Sequence, residues 1–255
     1  MWEICDKENG DLLIDEVKQI IENQRVNVNL PSEEDKTKKN ALLKAAFSGN
    51  AKILEILLRK GGVSNSRDNH GFNALHVAAA NGKNETVEFL LGKGIDLNSK
   101  DNNGWNAVLA AASNGKNEAI KFLLGKGMNL NSKDNDGRNA LHQAAAYGKN
   151  ETIDFLLGKG MDLNSKNNDG RNALHFAAYN GKNETVEFLL VKGMDLNSKN
   201  NYGWNALHQA AANGKNETIK FLLGKGMDKK VKDNFGKTAL NYAIQMGHLG
   251  ARRLL

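Results

Sequence analysis

The chain has 255 residues and a formal charge of +6, and it contains 26 glycines but only one proline, Pro31, and one cysteine, Cys5. A single cysteine excludes an internal disulfide framework, and no apolar run in the sequence is long enough to span a membrane. The acidic start of the chain lacks the features of a signal peptide, so we expect a soluble, cytoplasmic protein with no membrane association.

Residues 1–39 predict one helix followed by a charged loop. Between Asp11 and Glu22, apolar residues recur at helical spacing, namely Leu12, Leu13, Val17, Ile20 and Ile21. The segment after Pro31 combines three acidic residues with three lysines. We interpret residues 1–39 as a degenerate N-terminal half repeat, or cap, and a charged loop that precede a regular array.

A period of 33 residues governs the rest of the chain. The tetrapeptide Asn73-Ala74-Leu75-His76 recurs, unchanged or varied, with starts at positions 40, 73, 106, 139, 172, 205 and 238. Starts at an unchanged period indicate a solenoid of repeats. We assign residues 40–67 to a first repeat, 68–237 to regular 33-residue repeats, and 238–255 to a C-terminal capping or truncated repeat.

The sequence of each repeat predicts two short helices separated by a glycine. Asn73 suits the N-cap of the first helix, and small apolar residues follow it. The recurring Asn84-Glu85-Thr86 begins the second helix, and we attribute its recurrence to helix capping. We assign the left-handed residue after the second helix to the column of Gly94 and not to that of Gly92. Val191 stands in the latter column, and a β-branched residue tolerates positive φ poorly.

The repeat resembles that of the ankyrin family. Asp68-Asn69-His70-Gly71, Asn73-Ala74-Leu75-His76 and Gly94-Ile95-Asp96-Leu97-Asn98 correspond to the D-x-x-G, T-P-L-H and G-A-D-V-N motifs of that family. Ala74 stands where the family has proline and Lys83 where it has histidine, and neither change opposes a helix. The resemblance covers residues 40–255. It implies an all-α ankyrin-repeat solenoid of stacked helix-turn-helix units, with hairpin-like loops along a concave face.

Four columns of the repeat differ between copies, two beside the turn glycine and two on the first helix. A core position would reject an exchange of tryptophan for arginine, because an unpaired buried charge is costly, so we predict that these residues face solvent. Aromatic and arginine side chains on a rigid surface are typical of interface hot spots. The candidate partner-binding residues are His70, Phe72, Trp105, Asp136, Arg138, Asp169, Arg171, Phe176, Tyr179, Tyr202, Trp204 and Phe235.

The recurring histidines at positions 76, 142, 175 and 208 do not predict a metal site. Stacked helices lie about 8–10 Å apart, which is too far for two imidazoles to share one zinc ion. We interpret each histidine as bonding to the backbone of the adjacent turn. The sequence contains no phosphate-binding loop, zinc-spaced set or nucleophile motif, so we expect neither an enzyme nor a cofactor or metal.

These observations predict a monomeric, non-enzymatic scaffold that binds a protein partner through its concave groove and hairpin tips. Aromatic residues alternate with basic ones, so binding of single-stranded nucleic acid or an oligonucleotide stays open as an alternative, although we do not expect nucleic acid as the partner. A targeting arm of a larger effector is a further alternative. We interpret the repeated lysines, such as Lys83, Lys93 and Lys100, as a solvated face.

Overall fold

A computed structural model describes residues 27–30 and 40–255, so the predicted helix near Val17 and the charged loop after Pro31 lie outside the described residues. The described part folds into α-helices joined by turns, which confirms the all-α class and the solenoid of helix pairs. The chain divides into two compact units, residues 1–134 and 135–255. The assignment of residues 1–39, 40–67, 68–237 and 238–255 to separate repeats stays a prediction.

The first unit holds three helix pairs within its described residues. They are α1 (Ala41–Ser48) with α2 (Ala51–Arg59), α3 (Ala74–Ala80) with α4 (Asn84–Gly92), and α5 (Ala107–Ser113) with α6 (Asn117–Gly125). The first helices of the pairs, α1, α3 and α5, pack side by side, and each also packs against its own second helix. This arrangement buries an apolar stripe of every helix against its neighbours, as a solenoid requires.

The second unit repeats the same arrangement with four helix pairs. They are α7 (Ala140–Ala146) with α8 (Asn150–Gly158), α9 (Ala173–Asn180) with α10 (Asn183–Val191), α11 (Ala206–Ala212) with α12 (Asn216–Gly224), and α13 (Ala239–Gln245) with α14 (Leu249–Leu254). Helices α7, α9, α11 and α13 pack in series. The last pair leaves Ile244, Met246 and Leu249 exposed.

The start of each first helix follows the predicted capping. The Asn73 side-chain oxygen accepts a hydrogen bond from His76 N at 3.2 Å, and the His76 ring accepts one from Asn73 N at 3.3 Å. Both orphan amides at this helix end are thereby satisfied by one reciprocal pair. The alanines and leucine that follow, from Ala74 to Ala79, are buried and supply the close packing between adjacent first helices.

The left-handed residue after each second helix lies in the column of Gly94, as predicted. Gly94 has a φ of 82°, and the same column is positive from Gly61 to Gly226. Gly92 is the last residue of α4, and Val191 is the last residue of α10. A branched side chain is therefore accepted in that column, because the residue there is helical.

The prediction that capping explains the recurrent Asn-Glu-Thr is wrong. At the start of α8 the N-cap residue is Lys149, and it makes no side-chain capping bond. Asn150 is the first residue of the helix, and its side-chain oxygen accepts a hydrogen bond from the hydroxyl of Thr185 at 2.7 Å. In the second unit the motif therefore links the second helices of neighbouring repeats, since its threonine bonds the asparagine of the repeat before.

The lysines that follow the second helices are engaged in local contacts. Lys126 Nζ lies 5.1 Å above the Phe122 ring and 2.6 Å from Glu88 of the preceding repeat. Lys225 repeats the arrangement with Phe221 and Glu187. Each such surface pair contributes about 1 kcal/mol or less. This column is a solvated face, as we interpreted it, although the amines of Lys126, Lys192 and Lys225 each pair with a carboxylate of the preceding repeat.

Candidate functional site

The loops that join the repeats have a fixed backbone. Asp101 Oδ1 accepts hydrogen bonds from Asn103 N at 2.8 Å and Trp105 N at 2.7 Å, and Asp101 N donates to Trp105 O at 2.9 Å. The second unit closes its loops in the same way, for example through Asn200 and Asp233. Each loop tip is therefore a short closed turn whose shape does not depend on the variable side chains.

Within each unit, an asparagine ladder ties neighbouring loops together. Asn201 Nδ2 donates to Asn168 O at 3.1 Å, and Asn201 N donates to Asp169 O at 2.9 Å. In the first unit, Asn102 makes the same two bonds to residues 69 and 70. We did not anticipate this ladder. The signal was present, because the column of positions 69, 102, 135, 168, 201 and 234 is asparagine in every copy.

The turn glycine is required beside this ladder. Gly71 has a φ of 84°, and a Cβ added there would lie 2.4 Å from Asn102 Oδ1. Any other residue would be strained in its backbone and would also collide with the asparagine. The ladder and the glycine together hold the two variable columns, one residue before and one after the glycine, at defined positions.

In the first unit, the structure brings three of the predicted residues to this surface. His70 is exposed, whereas Phe72 and Trp105 are half-buried and their rings meet edge to face with centroids 6.4 Å apart. Phe72 also contacts the His76 ring. No described residue accepts a hydrogen bond from the Trp105 indole N–H, while the Trp105 backbone is held at both N and O. Trp105 therefore presents a positioned aromatic ring with an unused donor.

In the second unit, the predicted charged residues pair within their own loops. Arg138 lies 2.9 Å from Asp136, and Arg171 Nε lies 3.9 Å from Asp169 Oδ2, which is too long for a hydrogen bond. Both arginine side chains keep less than a third of their surface exposed. Such pairs contribute little stability, so their charges stay available to a partner.

Trp204 has a structural role that we did not predict. Its indole Nε1 donates to Asp233 Oδ2 at 3.0 Å, and its ring lies 4.2 Å from that of Tyr242, whose hydroxyl donates to the same oxygen at 2.5 Å. Burial alone would raise the pKa of the Asp233 carboxyl, but these bonds and two backbone amides outweigh it, so the pKa is lowered. Burial and the Asp233 contact raise the pKa of Tyr242. Trp204 therefore fastens the last two repeats together.

The remaining predicted aromatics divide into exposed and buried ones. Tyr202 is 46% exposed, Phe235 68% and Tyr179 42%, so these three present rings to solvent. Phe176 is only 8% exposed and packs edge-on against the His142 ring with centroids 5.3 Å apart. The expectation that Phe176 faces solvent is therefore wrong. Its column on the first helix lies between neighbouring helices, and Val77, Ala110, Gln143, Gln209 and Tyr242 are buried with it.

The histidine column is structural, as interpreted. His76 Nε2 donates to Trp105 O at 2.9 Å, and His175 Nε2 donates to Trp204 O at 2.9 Å. Burial lowers the pKa of both, that of His175 to about 4, so each ring is neutral near pH 7 and carries its proton on Nε2. Within the described residues, no group of three or more His, Cys, Asp or Glu side chains is placed to hold a metal ion.

None of the helices formed by the described residues combines the length and the apolar character that crossing a bilayer requires.

The helix pairs, the closed loops and the capping histidines define a helical-repeat protein. Residues 5–101, 96–167 and 174–255 match the family described as ankyrin repeats in three copies, and the chain belongs to that family. No curated protein matches the chain.

Proposed function

We propose that this chain is a non-enzymatic scaffold that binds a protein partner through the tips of its inter-repeat loops and the variable side chains beside them. Ankyrin repeats are generally protein–protein interaction modules and are generally not enzymes. One contrast carries the proposal. The residues that fix the loop backbone keep the same chemistry, with glycine at the turn, asparagine in the ladder and an Asp or Asn oxygen closing the loop, whereas the side chains that those loops present differ from copy to copy.

The loop tips of the second unit illustrate this contrast. Tyr202 N donates to Asn200 Oδ1 and Tyr202 O accepts from Asn234 N, yet the ring is 46% exposed. Phe235 has the same fixed amide and is 68% exposed. An aromatic side chain on a fixed backbone has only its own two torsion angles to restrict on binding, which favours it as an anchor. In the first unit, His70 and Trp105 supply the corresponding side chains.

A nucleic-acid partner is less compatible with the same surface. The loop tips of the second unit carry the carboxylates of Asp136 and Asp169, which repel phosphate. Amines such as Lys126 and Lys225 are engaged with carboxylates beside the second helices. A targeting arm of a larger effector would use this surface in the same way as a free scaffold.

The proposed setting is a cytoplasmic one with the chain as a monomer. The single cysteine supports a reducing compartment, since a protein of this length in an oxidising one more often carries disulfides. The loop tips remain free for a partner in this state.

A capture experiment tests the proposal. The full chain and a Tyr202→Ala/Phe235→Ala variant are used to capture proteins from native lysate of the source cells, with Val191→Ala as a control that removes exposed apolar surface at the end of α10. We expect a protein retained by the wild type and the control but lost with the double variant. Equal retention by all three chains would contradict the proposal.

A further inference from the structure

Three buried hydrogen-bond donors in the second unit have no acceptor. They are Arg171 Nε, Asn200 Nδ2 and Gln209 Nε2. Gln209 is 1% exposed and Asn200 7%, while the Arg171 side chain keeps 29% of its surface open. Leaving a buried donor unpaired is costly, and three such donors in two neighbouring repeats require an explanation.

The repeat period shows that these three donors belong together. Arg171, Asn200 and Gln209 precede Trp204, Asp233 and Tyr242 by 33 residues each, so they occupy the equivalent places one repeat earlier. In the later repeat, the polar atoms of the three side chains meet at Asp233 Oδ2, which accepts from Trp204 and Tyr242. One repeat earlier, the equivalent polar atoms are Arg171 Nε, Asn200 Nδ2 and Gln209 Nε2, and none of the three donors has an acceptor.

The orientation of Asn200 is fixed by its loop. Its Oδ1 accepts hydrogen bonds from Tyr202 N at 3.0 Å and Trp204 N at 2.9 Å, as Asp233 Oδ1 does from the corresponding amides. The Asn200 Nδ2 group therefore stands where Asp233 has its second carboxylate oxygen. Asn200 therefore places an amide where Asp233 has a carboxylate. The cluster around Asn200 lacks the negative charge and the acceptor oxygen of that carboxylate.

The charges around the cluster favour an anion. The Arg171 guanidinium is cationic. His175 is neutral, because burial, and to a smaller extent the nearby charges of Arg171 and Lys166, lower its pKa to about 4. The carboxylate of Asp169 lies 3.9 Å from Arg171 Nε, beyond hydrogen-bond distance, so it does not pair with that donor. The Asp169 carboxylate repels a bound anion in proportion to the charge of that anion. A carboxylate with one negative charge is therefore favoured over a phosphate with two.

We propose that Arg171, Asn200 and Gln209 form a binding site for a carboxylate, supplied by an aspartate or glutamate side chain of the protein partner. That carboxylate takes the place that the Asp233 carboxylate has one repeat later, and it enters beside the exposed part of Arg171. The inference rests on the proposed function, because it draws the carboxylate from the partner. Hydrogen bonds from a guanidinium and two amides to a carboxylate are charge-assisted and strong.

The experiment uses the full chain labelled with nitrogen-15 at arginine, so that the Arg171 Nε–H signal reports directly on the site. Capped glutamate, N-acetylglutamate N-methylamide, is titrated in, with the equivalent capped glutamine and inorganic phosphate as comparison probes. We expect a saturable shift of the Arg171 signal with glutamate alone. The Arg138 signal is the internal control, because Arg138 is the counterpart of Arg171 in the preceding repeat and is already paired with Asp136.

Two variants supply the missing carboxylate from within the chain. Asn200→Asp and Gln209→Glu should each weaken glutamate binding at Arg171 by about tenfold or more, since the site is then already filled. Each should also raise the melting temperature, because a paired acceptor replaces an unpaired donor. Either variant is sufficient if the other fails to fold.

Several outcomes would overturn the proposal. A bound water, or a rotated Gln209 amide that accepts from Asn200, would leave the Arg171 signal unchanged by glutamate. An equal response to glutamine or phosphate would exclude a carboxylate site, and so would unchanged binding in both variants. If the capture experiment yields no protein that the double variant loses, but the glutamate shift of Arg171 is present, the proposed function alone is contradicted. A captured partner that Asn200→Asp still binds fully would contradict this site alone.

Discussion

The hydroxyl of Thr185 donates a hydrogen bond to the side-chain oxygen of Asn150, thirty-five residues earlier, at 2.7 Å. Thr218 and Asn183 form the next rung at 2.6 Å. These bonds connect the N-terminal ends of neighbouring second helices in the second unit. The series is interrupted in the first unit, where Asn84 Oδ1 is buried and has no partner.

The interruption predicts a stabilising substitution. The donor expected for Asn84 would come from position 119, thirty-five residues later, which is Ala119 and 1% exposed. Ala119→Thr should raise the free energy of unfolding by about 1 kcal/mol, the net contribution of a typical hydrogen bond, as measured by urea unfolding. Ala119→Val is the control, since it adds the same branching without a hydroxyl. Equal stabilities of the two variants would refute the explanation.

The neutral histidines predict a loss of stability in mild acid. The folded chain holds the pKa of His175 at about 4, below the usual value of about 6.5 in an unfolded chain. Above pH 6.5 both states are neutral and the stability is complete. As the pH falls from 6.5 to 4, only the unfolded chain takes up the proton, so about 3 kcal/mol is lost across this window. The lowered pKa values of His76 and His208 act in the same direction.

A variant isolates the contribution of His175 from those of other groups that titrate in this window. His175→Asn copies the last repeat, where Asn241 Oδ1 accepts from Thr238 N at 2.8 Å, so the helix start keeps its capping bond. Unfolding free energies at pH 7.5 and 4.5 should differ less for the variant than for the wild type. Equal pH dependence of the two chains would show that His175 is not kept neutral by folding.

The two half-buried tryptophans should differ in their contribution to stability. Trp204→Phe removes the hydrogen bond to the buried Asp233 carboxylate and should cost about 1.5–3 kcal/mol. Trp105→Phe loses no hydrogen bond to a described residue and should change the unfolding free energy by about 0.5 kcal/mol or less. Thermal or urea unfolding of both variants measures the contrast. Similar losses would mean that the Trp204 contact adds nothing to the fold.

The asparagine ladder should contribute to stability through the side chain. Asn201→Ala removes the bond from Asn201 Nδ2 to Asn168 O and should cost about 1 kcal/mol in urea unfolding. Asn164→Ala is the matched control, because Asn164 is exposed and bonds through its backbone amide only. If both substitutions have the same effect, the ladder does not hold the loops.

Much of the fold could be predicted from the sequence, because the period repeats each local signal many times. The Asn73 cap, the paired helices and the left-handed column of Gly94 all depend on residues close in the chain. The relations that were missed join residues about one repeat apart. Thr185 with Asn150 is one case, and Trp204 with Asp233 is another.

The burial of Phe176 shows a second limit of the sequence argument. Variation in its column, from Val77 to Gln209, suggested that these side chains face solvent. The column instead lies between first helices, where side chains of different size and polarity are accommodated. The exchange of Trp for Arg beside the turn glycine predicted exposure better, since the side chains of Arg138 and Arg171 are both partly exposed. Variation therefore predicted exposure correctly for Tyr179 on the first helix and for the loop tips, but not for the column of Phe176.

The central claim is that the variable loop side chains bind a partner while the invariant ones hold the loops. The most direct test measures the dissociation constant of the captured partner and the melting temperature for the wild type and Phe235→Ala, because the Phe235 ring is 68% exposed. We predict a loss of about 2 kcal/mol in binding, roughly thirtyfold in Kd, with the melting temperature nearly unchanged. Unchanged affinity, or a melting temperature that falls together with the affinity, would contradict the claim.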